Sequence, residues 1–545
     1  MKKFLSFLFV LFFGFTLAAC TGPTQDDGKI QVTFWHAMGQ SNQVLIQKMI
    51  DSFEAKYPNV NVEQYNQGGY DDLLEKVKNN IKSGTTPTIA QTYPDHVTSY
   101  LTSKTAVVNL NNYIYDEEVG FDALGISGAD YVDSFWAEGT SYGTDGSMYS
   151  LPFNKSTEVT IYNQDIFNKY DWFVTLLGLN AEEVYETYAA NEYDADGKVT
   201  KYNTKERTFK KDFVWHPTWE QLEKIGEAFK ATAEYKSCID AGLNAAAVGY
   251  DSQSNLFITL TQQLAALDGA YGVKGQEAYT RLVGNGQGEF TFLNEDNPYA
   301  RAAVRYYKEQ YDRKNFVTSG TLGADYCSDA FKGEQCVVTI GSSGGAHHNS
   351  PDGTFTPAVA TYPQWEAATE DQYQVIQQGT NITLFTQPDK EVEKYGWLFM
   401  CHMISYECSL IWSTGNPYFP IRKDVISSEE YQNFLEGVVY EKDEETGEIK
   451  KDENGNPMID SDAALTQLSA KIAWTQNQWF YTNVAFNGTD ISRAKIELLI
   501  QNVLLNESTQ NLTVGSDQYK AEVNKAIEEA FATCKDALKN YIANK

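Results

Sequence analysis

One stretch near the start of the chain limits the fold more than any other feature. Between residues 30 and 34, apolar side chains alternate with polar ones, as they do in a half-buried strand. Apolar residues then recur at helical spacing from 44 to 53, and a second alternating run covers 60–62. Because parallel strands need a long crossover connection, this order predicts a strand–helix–strand unit of an α/β sheet.

Two predicted strands end at the same edge of this sheet, and aromatic and polar side chains follow them. Trp35 and His36 close the first strand, and Asp95 comes just after a short strand at 88–93. Ligands of open α/β sheets bind outside the carboxyl ends of the strands. We therefore expect Trp35 to line a ligand cleft, with His36 beside it as a hydrogen-bonded support rather than a catalyst.

Size and charge set the broad class of the protein. The chain has 545 residues, of which 42% are apolar and 14% aromatic, so it has the material for a large core and for two lobes or domains. Its formal net charge is −30. Such a charge argues against nucleic acid or an anionic membrane surface as a partner, and it favours solubility.

The first residues have the pattern of a targeting segment. Lys2 and Lys3 precede an apolar run at 4–19 that is too short for a comfortable transmembrane helix. The run ends in Leu-Ala-Ala-Cys, which resembles the bacterial lipobox and predicts a lipoprotein signal peptide ending at a lipidated Cys20. An ordinary signal peptide with a chance cysteine is the alternative. Residues 21–28 would tether the protein to the extracellular or periplasmic face of the cell membrane.

Two charged stretches, 171–215 and 438–462, look inserted, and both are expected to be surface elaborations. The first is predicted to contain a helix at 181–190. Asp194 and Asp196 have the initial spacing of a calcium loop, but the later oxygen ligands and the distal glutamate are missing. A hairpin turn is therefore favoured over a metal site.

The cysteines form no CxxC pair. Cys401 and Cys408 are predicted to lie two turns apart on a single helix at 391–412, which is too far for a disulfide bond. Cys327 and Cys336 could instead meet across a helix-to-strand turn. An oxidising exterior permits that bond without requiring it.

A glycine-rich run at 341–345 (GSSGG) matches G-x-S-x-G and follows a predicted strand, as the nucleophile elbow of a serine hydrolase would. An elbow must turn directly into a helix, whereas the turn-forming residues at 346–353 predict that no helix follows. The same run presents the hydroxyls of Ser342 and Ser343 and the N–H of Gly344, which suits a polar ligand. A binding turn is therefore favoured over catalysis through Ser343.

Motifs for metals, cofactors and other catalysis are absent from the sequence. It has no HExxH, GxGxxG or P-loop pattern, and its acidic residues are too numerous for a glycosidase pair to be singled out by spacing. No cofactor is predicted. What remains is a set of aromatic and small polar residues suited to stacking on sugar rings and bonding their hydroxyls. The set consists of Trp35, His36, Tyr70, Tyr93, Ser156, Trp219, Trp365, Tyr418 and Trp479.

A series of short motifs in a fixed order resembles one known family. The motifs are the lipobox, TFWHAM at 33–38, F-x-x-x-Y-P-x-V at 53–60, GYD at 69–71, PFNKST at 152–157, TWEQL at 218–222 and TGNPYFP at 414–420. Each is weak alone. Together they resemble the family 1 extracellular solute-binding proteins, the capture subunits of bacterial ABC importers for carbohydrates, and most of all the glycerol-3-phosphate-binding branch.

The resemblance implies an α/β, two-lobed periplasmic-binding-protein-like fold of type II, with the ligand cleft between lobes that close by a hinge. Lobe 1 would comprise residues 29–153 and about 375–425, and lobe 2 residues 154–374 and about 426–545. The protein would act as a monomer with the transmembrane subunits of a permease. The positions that match the ligand contacts of the branch are Tyr70, Ser156, Ser343 or its neighbour Ser342, Gly379 and Tyr418.

Two departures from that branch bear on the ligand. An acidic contact expected after the strand at 88–93 falls on Pro94, with Asp95 one place late. A phosphate-binding Arg expected near 481–490 is absent, and Arg493 is a displaced candidate. We therefore favour a neutral mono- or oligosaccharide over glycerol 3-phosphate or a glycerophosphodiester, although helix N-termini hold charged ligands without Arg. A serine-dependent surface hydrolase and a scaffold without a small ligand are the rival functions.

Overall fold

The computed structural model describes residues 28–142, 145–196, 198–284, 287–443, 446–452 and 454–543. The predicted signal peptide, Cys20 and residues 21–27 of the predicted tether lie outside these ranges. Within the described ranges, no helix has the length and apolar character needed to span a membrane.

A ten-stranded mixed sheet forms the framework of the chain. Its strands are β1 (Ile30–His36), β2 (Val60–Asn66), β3 (Ile89–Thr92), β4 (Leu151–Asn163), β5 (Val248–Tyr250), β6 (Phe316–Thr318), β7 (Val338–Ser342), β8 (Pro357–Ala360), β9 (Val375–Leu384) and β10 (Phe480–Tyr481). The hydrogen-bonded order is β6–β5–β7–β4–β9–β3–β1–β2, with β8 paired to β4 and β10 to β9. β1 and β2 are parallel, which confirms the strand–helix–strand unit predicted at the start of the chain.

The centre of the sheet consists of β4 and β9, which run antiparallel and separate two groups of parallel strands. All 13 residues of β4 are buried. It is one continuous strand through the PFNKST motif at 152–157. Pro152 is tolerated within it because the pairing with β9 shifts register next to its partner Asn381, where a missing N–H costs little.

The longer helices surround this sheet. They are α1 (Gln40–Lys56), α2 (Tyr70–Ser83), α3 (Pro94–Tyr100), α4 (Trp219–Phe229), α5 (Ala233–Asp240), α6 (Gln253–Leu267), α7 (Pro298–Asp312), α8 (Lys390–Met403), α9 (Tyr406–Gly415), α10 (Glu429–Glu436), α11 (Ser461–Thr475), α12 (Thr489–Leu504) and α13 (Asp517–Ala543). Two of these helices have typical end signals: α2 ends at Gly84 in the left-handed region, and α4 begins with a capping box of Thr218 and Gln221.

Shorter elements connect these helices and strands. One-turn helices comprise Asn111–Ile114, Phe121–Leu124, Asp133–Ala137, Gln164–Lys169, Ala181–Val184, Ser319–Leu322, Ser328–Lys332 and Lys423–Ile426. Small antiparallel pairs join Tyr185–Thr187 to Thr208–Phe209, Glu192–Tyr193 to Val199–Lys201, and Arg281–Gly284 to Gln287–Glu289.

The predicted single helix at 391–412 is in fact two helices, α8 and α9. The break falls at Ser405, whose hydroxyl caps α9 by accepting the Cys408 amide at 3.3 Å. Cys401 and Cys408 therefore lie on different helices, contrary to the prediction. Cys327 and Cys336 both lie against Gly249 and are free thiols in this structure.

The stretch 171–215 matches the predicted surface elaboration only in its middle, where Tyr193 and Tyr202 are exposed, whereas both of its ends pack in the core. Trp172, Phe173, Tyr185 and Trp215 are buried in the same apolar cluster as the β5 strand and α6. The stretch 438–462 does match that prediction. Antiparallel bridges pair Tyr440 with Ile459, Lys442 with Ile449 and Lys451 with Pro457, and both isoleucines are exposed.

Inside the first stretch, the predicted helix at 181–190 ends after Val184. Tyr185 instead joins a short strand and packs its ring on Phe209, 4.7 Å away between centroids, so tertiary contact overrides helix propensity. The hairpin turn predicted at Asp194 is confirmed, since its carboxylate accepts the backbone amides of Asp196 and Lys198. Among the described residues, no cluster of side chains suited to a metal ion occurs.

Candidate functional site

The floor of the candidate site is one face of β4, in the middle of the sheet. Asn154, Ser156 and Glu158 alternate onto this face, as residues two apart in a strand must. Lys155 lies on the opposite face, where it forms a buried ion pair with Glu138. The floor therefore presents an amide, a hydroxyl and a carboxyl group, with the cation of Lys155 held away from it.

Three tyrosines, which we name the tyrosine wall, stand beside this floor: Tyr70, Tyr93 and Tyr418. Tyr70 opens α2, and its ring contacts that of Tyr93 at the end of β3, with centroids 4.9 Å apart. Tyr418 follows α9 and stacks on Trp412 at 6.1 Å. Burial and the neighbouring phenols raise the pKa of Tyr70, so these hydroxyls remain neutral hydrogen-bonding groups at any physiological pH.

The amide of Asn154 is only partly satisfied. Its oxygen accepts hydrogen bonds from Gln91, at 3.2 Å, and from Thr380. Its nitrogen is buried beside the hydroxyls of Tyr70 and Tyr418 without a hydrogen bond of good geometry to either. A buried donor that is poorly satisfied is unfavourable, so this position favours an incoming ligand oxygen.

The glycine-rich turn after β7 meets both the floor and the tyrosine wall. Ser342 donates to the Ser156 hydroxyl at 3.3 Å, and the Gly344 amide donates to Ser342 at 3.2 Å. A methyl group on Gly344 would come within 2.8 Å of the Tyr418 ring, so only glycine fits there. Of the two serines considered in the sequence, Ser342 is the one that faces the site.

The hydroxyl of Ser343 is fully buried on the far side of this turn. It accepts the backbone amide of Thr157 at 3.2 Å rather than contacting a histidine. The run 346–353 was predicted to lack a helix, and this prediction is wrong in part because a 3-10 helix covers Ser343–Asn349. Even so, the geometry around Ser343 is that of a structural hydroxyl and not of a nucleophile with its base.

Gly379 supports the floor from β9. Its φ is +98°, and a methyl group there would lie 2.0 Å from the carbonyl oxygen of Asn154. Only glycine allows both the left-handed backbone and this close approach. Gly379 therefore allows β9 to pack closely against β4 at Asn154.

Four polar residues from four elements, which we name the ionic wall, continue the site from Glu158. Glu158 Oε1 accepts from Asn255 on α6 at 3.1 Å, and Asn255 Oδ1 accepts from Arg493 on α12 at 2.6 Å. The guanidinium of Arg493 then lies 3.7 Å from Asp95 on α3. Asp95 and Arg493, both proposed from the sequence, are thus brought together, and Asp95 neutralises the displaced arginine.

Glu158 was not singled out by the sequence. It is completely buried, and burial raises the pKa of its carboxyl to about 7. Because residues two apart in a strand lie on the same face, the prediction of Ser156 as a site residue could have pointed to Asn154 and Glu158 as well. Asn255 carried no such signal, because its contact with the floor depends on how α6 packs.

Trp35 and His36 lie on opposite faces of β1. Trp35 packs against a small apolar cluster that includes Leu74 and Tyr100. His36 is fully buried with both ring nitrogens occupied: Nδ1 accepts from the Met38 amide at 3.1 Å, and Nε2 contacts Gln64 at 3.1 Å. Burial lowers the pKa of His36 to about 4, so the ring is neutral. These contacts favour the supporting role expected for His36.

Tyr326 is a further aromatic residue that the sequence reasoning missed. Its side chain is 62% exposed, and its phenol is close enough to Tyr418 to raise the pKa of that residue, although burial is the larger cause. The loop is held by the next residue, since the Cys327 amide donates to Asp251 at 2.7 Å. The remaining tryptophans of the sequence set lie elsewhere: Trp219 and Trp365 pack in the core cluster around α4 and α7, and Trp479 at its edge.

A separate cavity of about 840 Å³ is lined by residues from three segments: 101–112, Tyr142 with 145–149, and 386–393. Its lining includes Lys104, Asn109 and Tyr149 but none of the candidate residues named above. It is a second concave surface, distinct from the walls around β4.

Comparisons with known proteins identify the family of the chain. The model of a family described as bacterial extracellular solute-binding protein matches residues 48–435. Among curated proteins, the sn-glycerol-3-phosphate-binding periplasmic protein UgpB of Yersinia pestis bv. Antiqua (strain Antiqua) is 21% identical over 409 residues, covering 74% of this chain and 77% of that protein. The protein of the same name from Escherichia coli (strain K12) is 20% identical over 405 residues, with the same coverage.

Solved structures show the same fold. UgpB from Mycobacterium tuberculosis, in complex with glycerophosphocholine, matches with a TM-score of 0.58 at 16% identity, covering 94% of this chain and 99% of that one. The substrate-binding protein Lmo0181 from Listeria monocytogenes, in complex with cycloalternan, matches with a TM-score of 0.59 at 14% identity and the same coverage. The predicted two-lobed, periplasmic-binding-protein-like α/β fold is confirmed.

Proposed function

The chain belongs to the bacterial extracellular solute-binding protein family, and from that premise we propose that it is the substrate-binding receptor of an ABC importer. It captures a neutral mono- or oligosaccharide between the tyrosine wall and the ionic wall and delivers it to the permease. On this proposal the protein is a transport receptor and not an enzyme, and it acts as a monomer.

The choice of a neutral ligand rests on one observation: the charged groups of the site already contact other protein groups. Arg493 already contacts Asp95 and Asn255. The groups left for a ligand are neutral: the Asn154 nitrogen, the tyrosine hydroxyls and the serine pair on the floor. Aromatic faces beside neutral hydrogen-bonding groups match the apolar faces and hydroxyls of a sugar.

Glycerol 3-phosphate or a glycerophosphodiester is the second candidate. The side chain of Arg493 is partly exposed, and a guanidinium forms strong, charge-assisted hydrogen bonds with phosphate oxygens. The names of the curated relatives and the glycerophosphocholine complex point in the same direction. A phosphate would have to compete with Asp95 for the guanidinium, which is why this ligand class comes second.

Closure of the lobes is expected to occur around β4 and β9, the only long strands at the centre of the described sheet. A ligand that touches residues on both sides of these strands stabilises the closed state over the open one. The proposed lobes are residues 29–153 with about 375–425, and 154–374 with about 426–545. Lipidation at Cys20 would hold the receptor at the outer face of the membrane.

Thermal unfolding of the mature protein with a panel of solutes tests the proposal. The panel contains neutral mono-, di- and trisaccharides, glycerol 3-phosphate and glycerophosphocholine. A ligand present at 100 times its Kd stabilises the folded state by about 2.7 kcal/mol. We expect a neutral saccharide to raise the melting temperature. A response to the phosphates alone would establish the second candidate, and no response to any solute would contradict a receptor function for the site and favour a scaffold.

A further inference from the structure

A continuous chain of hydrogen bonds runs beneath the ligand site. The hydroxyl of Tyr362 contacts that of Tyr250 at 2.9 Å, and Tyr250 donates to Glu158 Oε2 at 2.5 Å. The other carboxylate oxygen of Glu158 accepts from the amide nitrogen of Asn255. Because a guanidinium has only donors, Asn255 must turn its oxygen to Arg493, and its nitrogen is then directed at Glu158.

Among the groups in this series of hydrogen bonds, only the carboxyl group of Glu158 changes charge near neutral pH. Burial raises its pKa to about 7, while the hydrogen bonds from Tyr250 and Asn255 oppose that rise. The titratable groups that face it from the packed elements are Tyr250 and Asp251 at the end of β5, Tyr362 after β8, Tyr481 on β10 and Arg493 on α12. The phenols have raised pKa values and stay neutral in this range.

Asp251 titrates close to the same range, since burial raises its pKa to about 6. Its carboxylate, however, binds the Cys327 amide and lies behind Gly341, so it has no hydrogen bond to Asn255 or Arg493 among the described contacts. Glu497, one turn along α12 from Arg493, also has a raised pKa caused mainly by burial. It binds Ser254 rather than Asn255, and it interacts with Arg493 through space by charge alone.

We propose that Glu158 is a positioning residue of the ligand site: its ionised carboxylate holds the Asn255 amide, and Asn255 in turn fixes the Arg493 guanidinium opposite Asp95. When Glu158 takes up a proton, the negative charge behind Asn255 disappears and the hydrogen bond from Arg493 weakens. The orientation of Arg493 in the site then depends on pH, and the affinity for a neutral solute falls on the acid side. This last consequence rests on the proposed function, whereas the positioning of Arg493 does not.

The proposal is tested without any ligand by NMR of protein labelled with ¹⁵N-arginine. The Nε–H signal of Arg493 is assigned as the one missing from the Arg493→Lys variant. In the wild-type protein we expect this signal to shift with pH, with a midpoint near 7. In Glu158→Gln the titration should be lost, and the signal should stay at the position it has in the wild-type protein at low pH.

Two matched variants separate positioning from general electrostatics. Glu497→Gln removes a neighbouring carboxyl from the same helix and should leave the titration of Arg493 unchanged. Asn255→Leu removes the amide that connects Glu158 to Arg493. It should abolish the titration of the Arg493 signal although Glu158 is still present. This second variant also keeps the proposal falsifiable if Glu158→Gln does not fold.

A pH-independent Arg493 signal in the wild-type protein between pH 5 and 9 would overturn the proposal. So would a titration that persists in Glu158→Gln or disappears in Glu497→Gln. Because no solute is present, none of these results depends on whether the panel of sugars and phosphates identifies a ligand. Failure of the receptor function and failure of this inference are therefore distinguishable.

Discussion

The two walls of the candidate site satisfy their polar groups in opposite ways. The tyrosine wall is made of neutral side chains and borders a buried donor, Asn154 Nδ2, that has no hydrogen bond of good geometry. The ionic wall contains the charges of Asp95 and Arg493, and each of its members already contacts another member. One wall is thus incomplete without a ligand, whereas the other is complete without it.

This difference indicates that the two walls contribute to binding in different ways. Partners that are already bonded in the free protein need no reorganisation when a ligand arrives, and preorganisation of this kind lowers the cost of binding. New contacts with the ligand form at the unsatisfied hydrogen-bonding groups and the aromatic faces of the tyrosine wall. Substitutions in the two walls should therefore have different effects, and the following experiments probe that contrast.

The largest effect is expected on the pH dependence of stability through Glu158. Its pKa rises from the usual 4.5 to about 7 on folding, so the folded state keeps a proton that the unfolded chain releases. Stability contributed by the protonated carboxyl is present at low pH and is lost as the pH rises from about 4.5 through 7. Relative to Glu158→Gln, the wild-type protein should lose up to about 3 kcal/mol across this range.

Chemical denaturation of both proteins at pH 5 and pH 8 measures this loss. If the difference in unfolding free energy between wild type and Glu158→Gln is the same at both pH values, the ionic wall does not contain a carboxyl titrating near neutrality.

The next effect concerns the tyrosine wall. Tyr70→Ala and Tyr418→Ala should each weaken binding of the stabilising saccharide by roughly 10- to 100-fold, because each removes an aromatic face and a hydroxyl. Calorimetric titration measures the affinity, and circular dichroism checks that both variants fold. Tyr115→Ala removes a tyrosine that is 80% exposed and has no contact with the site, so its affinity should equal that of the wild type. Unchanged affinity in both wall variants would remove the tyrosines from the site.

A smaller effect is expected from the exposed part of the ionic wall. Arg493→Gln should lower the affinity for a neutral saccharide by only about threefold, since a partly exposed ion pair contributes little. Calorimetry with glycerol 3-phosphate supplies the contrast. If Arg493 is the binding group for a phosphate ligand, its loss should lower the affinity for glycerol 3-phosphate at least about tenfold. The main ligand contacts would then lie on the ionic wall and not on the tyrosine wall.

The most restricted effect, limited to longer ligands, is predicted for Tyr326, the exposed tyrosine near Tyr418. Because its ring is exposed, Tyr326→Ala should leave the melting temperature unchanged. We expect a roughly threefold loss of affinity for saccharides of two or more rings and none for a monosaccharide, since only a longer ligand reaches the ring. Equal losses for both ligands would place Tyr326 inside the primary site.

Much of the fold was predictable from the sequence because it depends on local patterns. The opening strand–helix–strand unit, the capping box at Thr218 and the end of α2 at Gly84 all follow from periodicity and terminal residues. The errors arose where tertiary contact decides. Tyr185 leaves its predicted helix to pack on Phe209, and a serine cap divides the helix predicted at 391–412.

The site was predictable to the extent that it lies on strand ends and glycine-rich turns. Tyr70, Ser156, Ser342, Gly344 and Tyr418 are brought together around β4 as the sequence suggested. The ionic wall could not be assembled in this way. Its members come from α3, β4, α6 and α12, and no sequence spacing records that these elements converge.

A crystal structure of the protein with the solute that gives the largest thermal shift tests the central claim most directly. We predict that the solute lies between the tyrosine wall and the ionic wall, with an oxygen within hydrogen-bond distance of Asn154 Nδ2 and a ring against Tyr418. A solute bound instead in the 840 Å³ cavity beside Lys104 and Tyr149, with the space around Asn154 unoccupied, would contradict it.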